Sequence, residues 1–290
     1  MTDKKNWTGE RLETFIHNEN TNEHLHRYAQ ALDIVGDKVV LDIACGEGYG
    51  SNLLSGLASE VIGVDIDDAT VDNAKIKYRH SNLQFLTGSA AEIPCADAYF
   101  DVVVSFETIE HHDQHDKMMQ EIKRVLKPGG LLMISSPDKF FHSDKPGYKN
   151  PYHVKELYAD EFKSLLAKYF KNTFYLRQKS FFGSVMIPDI DATSNEQITM
   201  YQGGYAEIKP AELEAVYLIG MASDGDVPGF KTTFFDGQPV LKEQFAAFQD
   251  LVTETVKADV EKEIRGSNSY KIGHTLLSPL KFIKRLLNGA

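Results

Sequence analysis

Several things are scarce in this 290-residue chain, and each scarcity excludes something. There are only two cysteines, Cys45 and Cys95, with no zinc-type spacing, so neither a disulfide framework nor a cysteine metal site is expected. Basic charge is outweighed: 31 Lys and Arg against 42 Asp and Glu leave a net charge of -11. A broad positive field that could displace counterions is therefore missing, and no nucleic-acid partner is expected. No apolar run approaches the roughly 18 residues of a membrane span. The opening MTDKKNWTGER has no apolar h-region, so no signal peptide is expected and the reading is cytoplasmic. What the chain does have is 42% hydrophobic residues, enough for a sizeable core.

Strand-like and helix-like segments alternate through the first half. NEHLHRYAQAL, from Asn22, puts Leu25, Tyr28, Ala29 and Leu32 on one helical face. KVVLDIA (38–44) predicts a first strand that runs into glycines, and SNLLSGLA (51–58) a helix. EVIGVDI (60–66), LQFLTG (83–88), FDVVVSF (100–106) and LLMISS (131–136) predict four further strands. Helices are expected over 68–78 and 116–126, the second stopped by Pro128-Gly129-Gly130. Nearly continuous apolar strands between amphipathic helices indicate an α/β fold, a doubly wound parallel sheet covered on both faces.

Beyond this the rhythm changes. A helix is expected within 150–170 and a strand over 172–181, while 184–212 reads as irregular. AVYLIGMAS (215–223) predicts a late strand, antiparallel and at the sheet's edge. Residues 239–264 form a long polar helical pattern. The expected division is a lid and helix over 1–36, a catalytic domain over 37–236, and a helical extension with a basic tail over 237–290. After Glu263 no acid remains, and 278–288 reads as a short basic amphipathic helix. Such a helix suits peripheral contact with an anionic membrane surface, docking on its own domain, or a partner subunit. The 239–264 helix is a candidate for pairing in a homo-oligomer, with imperfect heptads.

The chemistry-bearing residues cluster at strand ends. LDIACGEGYG puts Asp42 ahead of Gly46, Gly48 and Gly50, where the backbone admits close approach of a ligand. Asp65 ends the second strand, placed for ribose hydroxyls. The dinucleotide fingerprint needs glycine at position 51, which is Ser51, and an acid before the glycines repels a pyrophosphate. The same acid suits a ligand with an amino group and a sulfonium. After the fourth strand comes FETIEHHDQHD (106–116), a dense set of acids and histidines. If 107–111 is a helical turn, Glu107 lies near Glu110 (i, i+3) and His111 (i, i+4), a mixed, mostly hard donor set. The stretch either holds a metal, supplies a catalytic base, or begins a helix; Asp113 reads as an N-cap, and His112 and His115 as solvated.

VLDIACGEGYG, VIGVDID, GSAAEIPCADAYFDVVVSF and IKRVLKPGGLLMIS, in this order over about 38–136, resemble the class I S-adenosylmethionine-dependent methyltransferases. The resemblance implies a mostly parallel, seven-stranded Rossmann-like sheet with S-adenosyl-L-methionine as cofactor. Asp42, Ala44, Gly46 and Gly48 would line its methionine part, Asp65 its ribose, and Ile66, Ser89 and Ala90 its adenine. Phe106 would face the same pocket; WTGER and HLHRYAQAL are expected to fold over the cofactor as a lid, from which Arg11, Arg27 and Tyr28 either bind the cofactor carboxylate or an anionic acceptor, or simply pack the helix. The E-x-x-E-H stretch is similar to the metal signature of ubiquinone-pathway O-methyltransferases and small-RNA 2'-O-methyltransferases. That implies Mg²⁺ or Mn²⁺ on Glu107, Glu110, His111 and a downstream histidine, His153 in NPYHVKEL or else His142. Without metal, His111 or His153 would serve as the catalytic base. WTGER, EHLHRY, LDIACGEGYGS and NPYHVKEL together resemble methyltransferases of bacterial surface-polysaccharide pathways. This implies a small-molecule or glycan acceptor, methylated on a sugar hydroxyl or a terminal phosphate. The alternatives are a metal-independent N- or C-methyltransferase, a NAD-dependent oxidoreductase, and a cofactor-binding scaffold.

Overall fold

A computed structural model describes residues 11–181, 200–205, 207–267 and 271. Residues 184–199 and the basic stretch 278–288 lie outside the described residues, as do residues 7–10 of the WTGER motif. The chain divides into two compact units at Phe235 and Asp236.

The first unit opens with α1 (Glu19–Leu32), whose N-cap Asn18 accepts from Thr21 N and closes a capping box. There follow β1 (Val39–Ile43), α2 (Tyr49–Ser55), β2 (Glu60–Asp65), α3 (Asp68–Lys77), β3 (Leu83–Thr87) and β4 (Phe100–Ser105). A 3-10 turn over Ile109–His111 leads to α4 (His115–Val125) and β5 (Leu126–Pro137). A π-turn over Phe140–Asp144 precedes α5 (Ala159–Tyr169) and β6 (Asn172–Gln178). The last strands are β7 (Met200–Gly204), β8 (Glu207–Ala211) and β9 (Tyr217–Ser223).

Seven strands form one sheet in the order β3-β2-β1-β4-β5-β9-β6. All neighbours pair parallel except β9, which runs antiparallel to both β5 and β6. The antiparallel sense of the late strand matches expectation, but its place does not. β9 lies inside the sheet, and Asn172–Gln178 forms the edge. Pairing across such a long connection leaves no local trace in the sequence. The expected irregular segment also contains structure, because β7 and β8 pair as a separate antiparallel hairpin.

Both sheet faces are buried, which is why the strands read as apolar runs. Leu41 and Ile43 of β1 face a core with Met118, Met119, Ile122 and Val125 of α4 and Phe162 and Leu166 of α5. Val40, one residue over, joins Tyr28 and Ala31 of α1, Leu54 of α2 and Val71 and Ala74 of α3 on the other side. The strand order reverses at β1, which sits between β2 and β4. In open α/β sheets, ligands bind beyond the carboxyl ends of the strands at such a point. Ala44 and Glu107, just after β1 and after β4, both have positive φ, 58° and 50°. Non-glycine residues rarely adopt that conformation, and it collects at functional sites.

The second unit contains α6 (Gln238–Gly266), which starts behind Gly237 with proline in its first turn. Phe245, Phe248, Leu251, Val256 and Ile264 along it are exposed. Among the described residues no helix is long and apolar enough to cross a membrane.

Candidate active site

The β1–α2 loop is built around a buried acid. Asp42, 1% exposed, accepts from Ser51 Oγ at 2.7 Å and from the Tyr28 hydroxyl at 3.2 and 3.3 Å. Burial pushes its carboxyl up to about 7 against the pull of those two hydroxyls, with Asp65 adding to the rise. The serine that spoils the dinucleotide fingerprint is thus the closest partner of the acid. Gly46 and Gly48 have φ of 54° and 88°, and a Cβ on Gly46 would meet nothing within 4 Å, so its backbone is open to a ligand. Gly50 serves a different end: a Cβ there would lie 1.9 Å from Tyr28 Cζ, so its lack of a side chain seats Tyr28 against Asp42. Phe106 meets the Tyr28 ring edge-on at 5.1 Å and is packed into the core, rather than facing an open pocket.

Asp65 lies at the end of β2, next to β1. It accepts from Gly46 N at 2.9 Å and Asp67 N at 3.0 Å, which fixes both carboxylate oxygens beside the glycine loop. Arg11 reaches the same carboxylate at 3.2 Å. Behind Arg11, the backbone N–H and hydroxyl of Thr14 donate to Glu47 at 2.9 and 3.0 Å, and Lys77 pairs with Glu47 too. The segment before α1 is therefore tied to the glycine loop and to α3 through Thr14 and Glu47, which sequence reading did not single out. Ile66 is 70% exposed beside Asp65. Ser89 accepts from Ala91 N at 3.1 Å in a tight turn that places Ala90 after β3.

Arg27 points elsewhere than the cofactor loop. Its guanidinium, 2% exposed, donates from Nε to Gln178 of β6 at 2.7 Å, lies 4.5 Å over the Tyr217 ring of β9, and approaches Glu107 at 3.3 Å. These partners belong to the β4–β6 half of the sheet. Positive φ at Glu107 turns its side chain back onto β5, where Ser135 Oγ donates to its carboxylate at 2.6 Å and accepts its N–H at 3.0 Å.

The expected four-residue metal set is therefore only partly assembled. Glu110, His111 and His153 offer ligand atoms within 4.8 Å of one another, and Glu107 is not among them. Its backbone breaks the helical turn that the i, i+3 and i, i+4 spacing assumed. The 3-10 turn carries Glu110 and His111, and the loop with His153 docks onto it because Glu110 O accepts from Val154 N at 2.8 Å and Lys155 N at 3.0 Å. Glu110 is 1% exposed and its Oε2 has no hydrogen-bond partner. Burial, then Glu107, raise its carboxyl well above the usual range. An orphaned buried carboxylate oxygen beside two imidazoles fits a divalent cation. His142, the second choice, joins His153 and Glu156 in an adjoining group. Burial lowers the His153 imidazole against the opposing pull of Glu156.

The rest of the histidine-rich stretch departs from expectation. His115 is buried and donates from Nε2 to His112 O at 2.8 Å, and His112 Nδ1 accepts from Gln114 N at 3.1 Å. Neither is simply solvated. Gln114, not Asp113, is the N-cap of α4.

Known proteins resemble this chain over part of its length. A probable S-adenosylmethionine-dependent methyltransferase from Mycolicibacterium smegmatis is 41% identical over 128 residues, 44% of this chain and 49% of that protein. A phthiotriol/phenolphthiotriol dimycocerosates methyltransferase from Mycobacterium tuberculosis is 34% identical over 109 residues, 37% of this chain and 40% of the relative. The chain spans about half the length of the curated relatives it matches. In fold, it is similar to a solved SAM-dependent methyltransferase from Thermotoga maritima, described as a possible histamine N-methyltransferase. That likeness has TM-score 0.50 and 17% identity, and covers 70% of this chain and 90% of that one. Residues 41–134, from β1 into β5, match a family described as a methyltransferase domain.

Proposed function

We propose that the protein transfers the methyl group of S-adenosyl-L-methionine to an oxygen of a small molecule or glycan. The observation that carries this is the placement of Asp42 and Asp65 toward the carboxyl ends of the neighbouring strands β1 and β2, with Gly46 N bound to Asp65 and its loop open beside them. Buried Asp42 suits a cationic amino group, and Asp65 presents a fixed acceptor to ribose hydroxyls. The local match to methyltransferases supports the same reading.

The sulfonium already activates the methyl group, so the protein's task is to orient the acceptor and manage its proton. Oxygen as the acceptor atom is supported by the titratable group beyond β4: Glu110, His111 and His153. His111 Nδ1 lies 3.2 Å from the Tyr152 carbonyl, which can only accept, so this nitrogen donates and Nε2 is the one that would act. A divalent cation held by Glu110, His111 and His153 would supply Lewis-acid help to a hydroxyl. One relative carries the name of a triol methyltransferase, which agrees with a hydroxyl acceptor. The test is methyl transfer from labelled cofactor to a panel of sugar, sugar-phosphate and phenolic acceptors, with EDTA or with added Mg²⁺ or Mn²⁺. Transfer to amines alone would overturn the oxygen assignment, and activity indifferent to chelation would overturn the cation.

A further inference from the structure

Beside the cluster just described lies a carboxylate that this reading does not use. Glu156 stands three residues after His153, its side chain 9% exposed, and one oxygen is shared by two imidazoles. His153 Nδ1 is hydrogen-bonded to Glu156 Oε1, and His142 Nδ1 lies 3.3 Å from the same atom. The two rings stack with centroids 5.2 Å apart. On the far side of His153, Nε2 meets the side-chain amide nitrogen of Asn150 at 2.9 Å. The amide is oriented by its other end, because Asn150 Oδ1 accepts from Tyr152 N at 3.0 Å.

These contacts determine where the proton of His153 sits. An amide N–H is only a donor, so Nε2 must accept. The ring proton of the neutral imidazole is then on Nδ1, where a carboxylate receives it. Both partners demand the same tautomer. The carboxylate alone would not fix it, since it accepts equally from a cationic ring.

We propose that Glu156 is a positioning residue that fixes His153 as the Nδ1–H tautomer and so makes Nε2 its working nitrogen. Asn150 holds that nitrogen in the resting protein and gives way to an acceptor hydroxyl or a cation. A carboxylate behind an imidazole orients the ring and raises its basicity, whether the ring takes a proton or binds a metal. The use in catalysis rests on the methyl-transfer reading; the tautomer does not.

The test is long-range ¹H–¹⁵N correlation spectroscopy of the full chain with labelled histidines, in EDTA and above neutral pH. His153 is identified by its loss in His153→Gln. The wild-type ring is expected to show protonated Nδ1 and bare Nε2. Glu156→Gln keeps an oxygen acceptor and should preserve that pattern, whereas Glu156→Leu leaves a proton on Nδ1 without an acceptor, so the ring should give up the Asn150 contact and carry the proton on Nε2. A wild-type His153 that is Nε2–H, or a leucine variant that stays Nδ1–H, would overturn the proposal. The wild-type spectrum alone can do so if the leucine variant does not fold. S-adenosylhomocysteine binding to the same samples separates the two claims. The expected tautomer without binding removes the methyl-transfer reading and leaves the proposal standing. Binding with the wrong tautomer does the reverse.

Discussion

Ser51 Oγ donates to Asp42 Oδ2 across 2.7 Å, and both residues are shielded from solvent. The residue that departs from the dinucleotide pattern is therefore what supports the acid. It makes a buried carboxylate tolerable without a cation, and it leaves that carboxylate ready to lose its proton when a cation arrives.

Cofactor affinity should therefore depend on pH. Asp42 is raised to about 7, so in the free protein it is largely protonated below neutrality. A cationic amino group binds the ionised form, and affinity should rise as pH increases, by up to about tenfold per unit below 7, and level off above it. Stability of the free protein should move the other way. The folded state holds this proton more tightly than the unfolded chain, so the contribution falls as pH rises from about 4 through 7. Calorimetry with S-adenosylhomocysteine in buffers of different ionisation enthalpy would show proton release. Affinity flat across this range would contradict the assignment.

Gly50→Ala should destabilise more than Gly46→Ala. The first pushes a Cβ into the Tyr28 ring, an overpacking cost of about 2 kcal/mol or more. The second meets no atom within 4 Å and costs only the left-handed backbone, about 1 kcal/mol. Calorimetric melting should separate them by roughly 2–4 °C. Equal melting points would mean that Gly50 is not there for Tyr28.

Glu110→Gln should fold as well as the wild type at neutral pH. Burial, then Glu107, raise the Glu110 carboxyl well above the usual range and so favour its neutral form, which a neutral isostere resembles. Because the folded carboxyl is raised, the wild type should lose stability as pH rises above the ordinary carboxylate range, and the variant should not show this loss. Mn²⁺ affinity followed by electron paramagnetic resonance should fall by about tenfold or more. Retained Mn²⁺ binding would remove Glu110 from the cation site.

Arg27→Met should loosen the docking of α1 on the sheet. The buried guanidinium ties α1 to Gln178 and Glu107, and removing it takes the cation from Glu107 and the donor from Gln178 Oε1, at a cost of about 3 kcal/mol. Hydrogen exchange in α1 should rise before exchange in β1 or β4 does. Unchanged α1 protection would mean that the apolar face of the helix suffices.

The strands of the first half were legible because both faces of the sheet are covered, which makes each strand a short apolar run between helical periods. Asp42 and Asp65 were legible too, since a strand end followed by glycine or by a helix start is a one-dimensional signal. Glu107 is not legible, because its spacing to Glu110 and His111 suggests a helical turn and nothing in FETIEHH marks the positive φ that turns it toward Ser135. His115 looked like a polar helix start, yet it is buried. Ser51 reads in the sequence only as a missing glycine; its hydroxyl acts across the loop on a residue nine positions earlier. Glu156 leaves a signal, the His153-x-x-Glu156 spacing, but that spacing says nothing of Asn150 on the other side of the ring.

Binding of S-adenosyl-L-methionine to the wild-type chain and to Asp65→Ala, by titration calorimetry with NADH as the competing ligand, tests the central claim most directly. The account predicts saturable binding that NADH does not displace, weakened about tenfold or more when the Asp65 carboxylate is removed. Absence of binding to the wild type, displacement by NADH, or equal affinity in Asp65→Ala would contradict it.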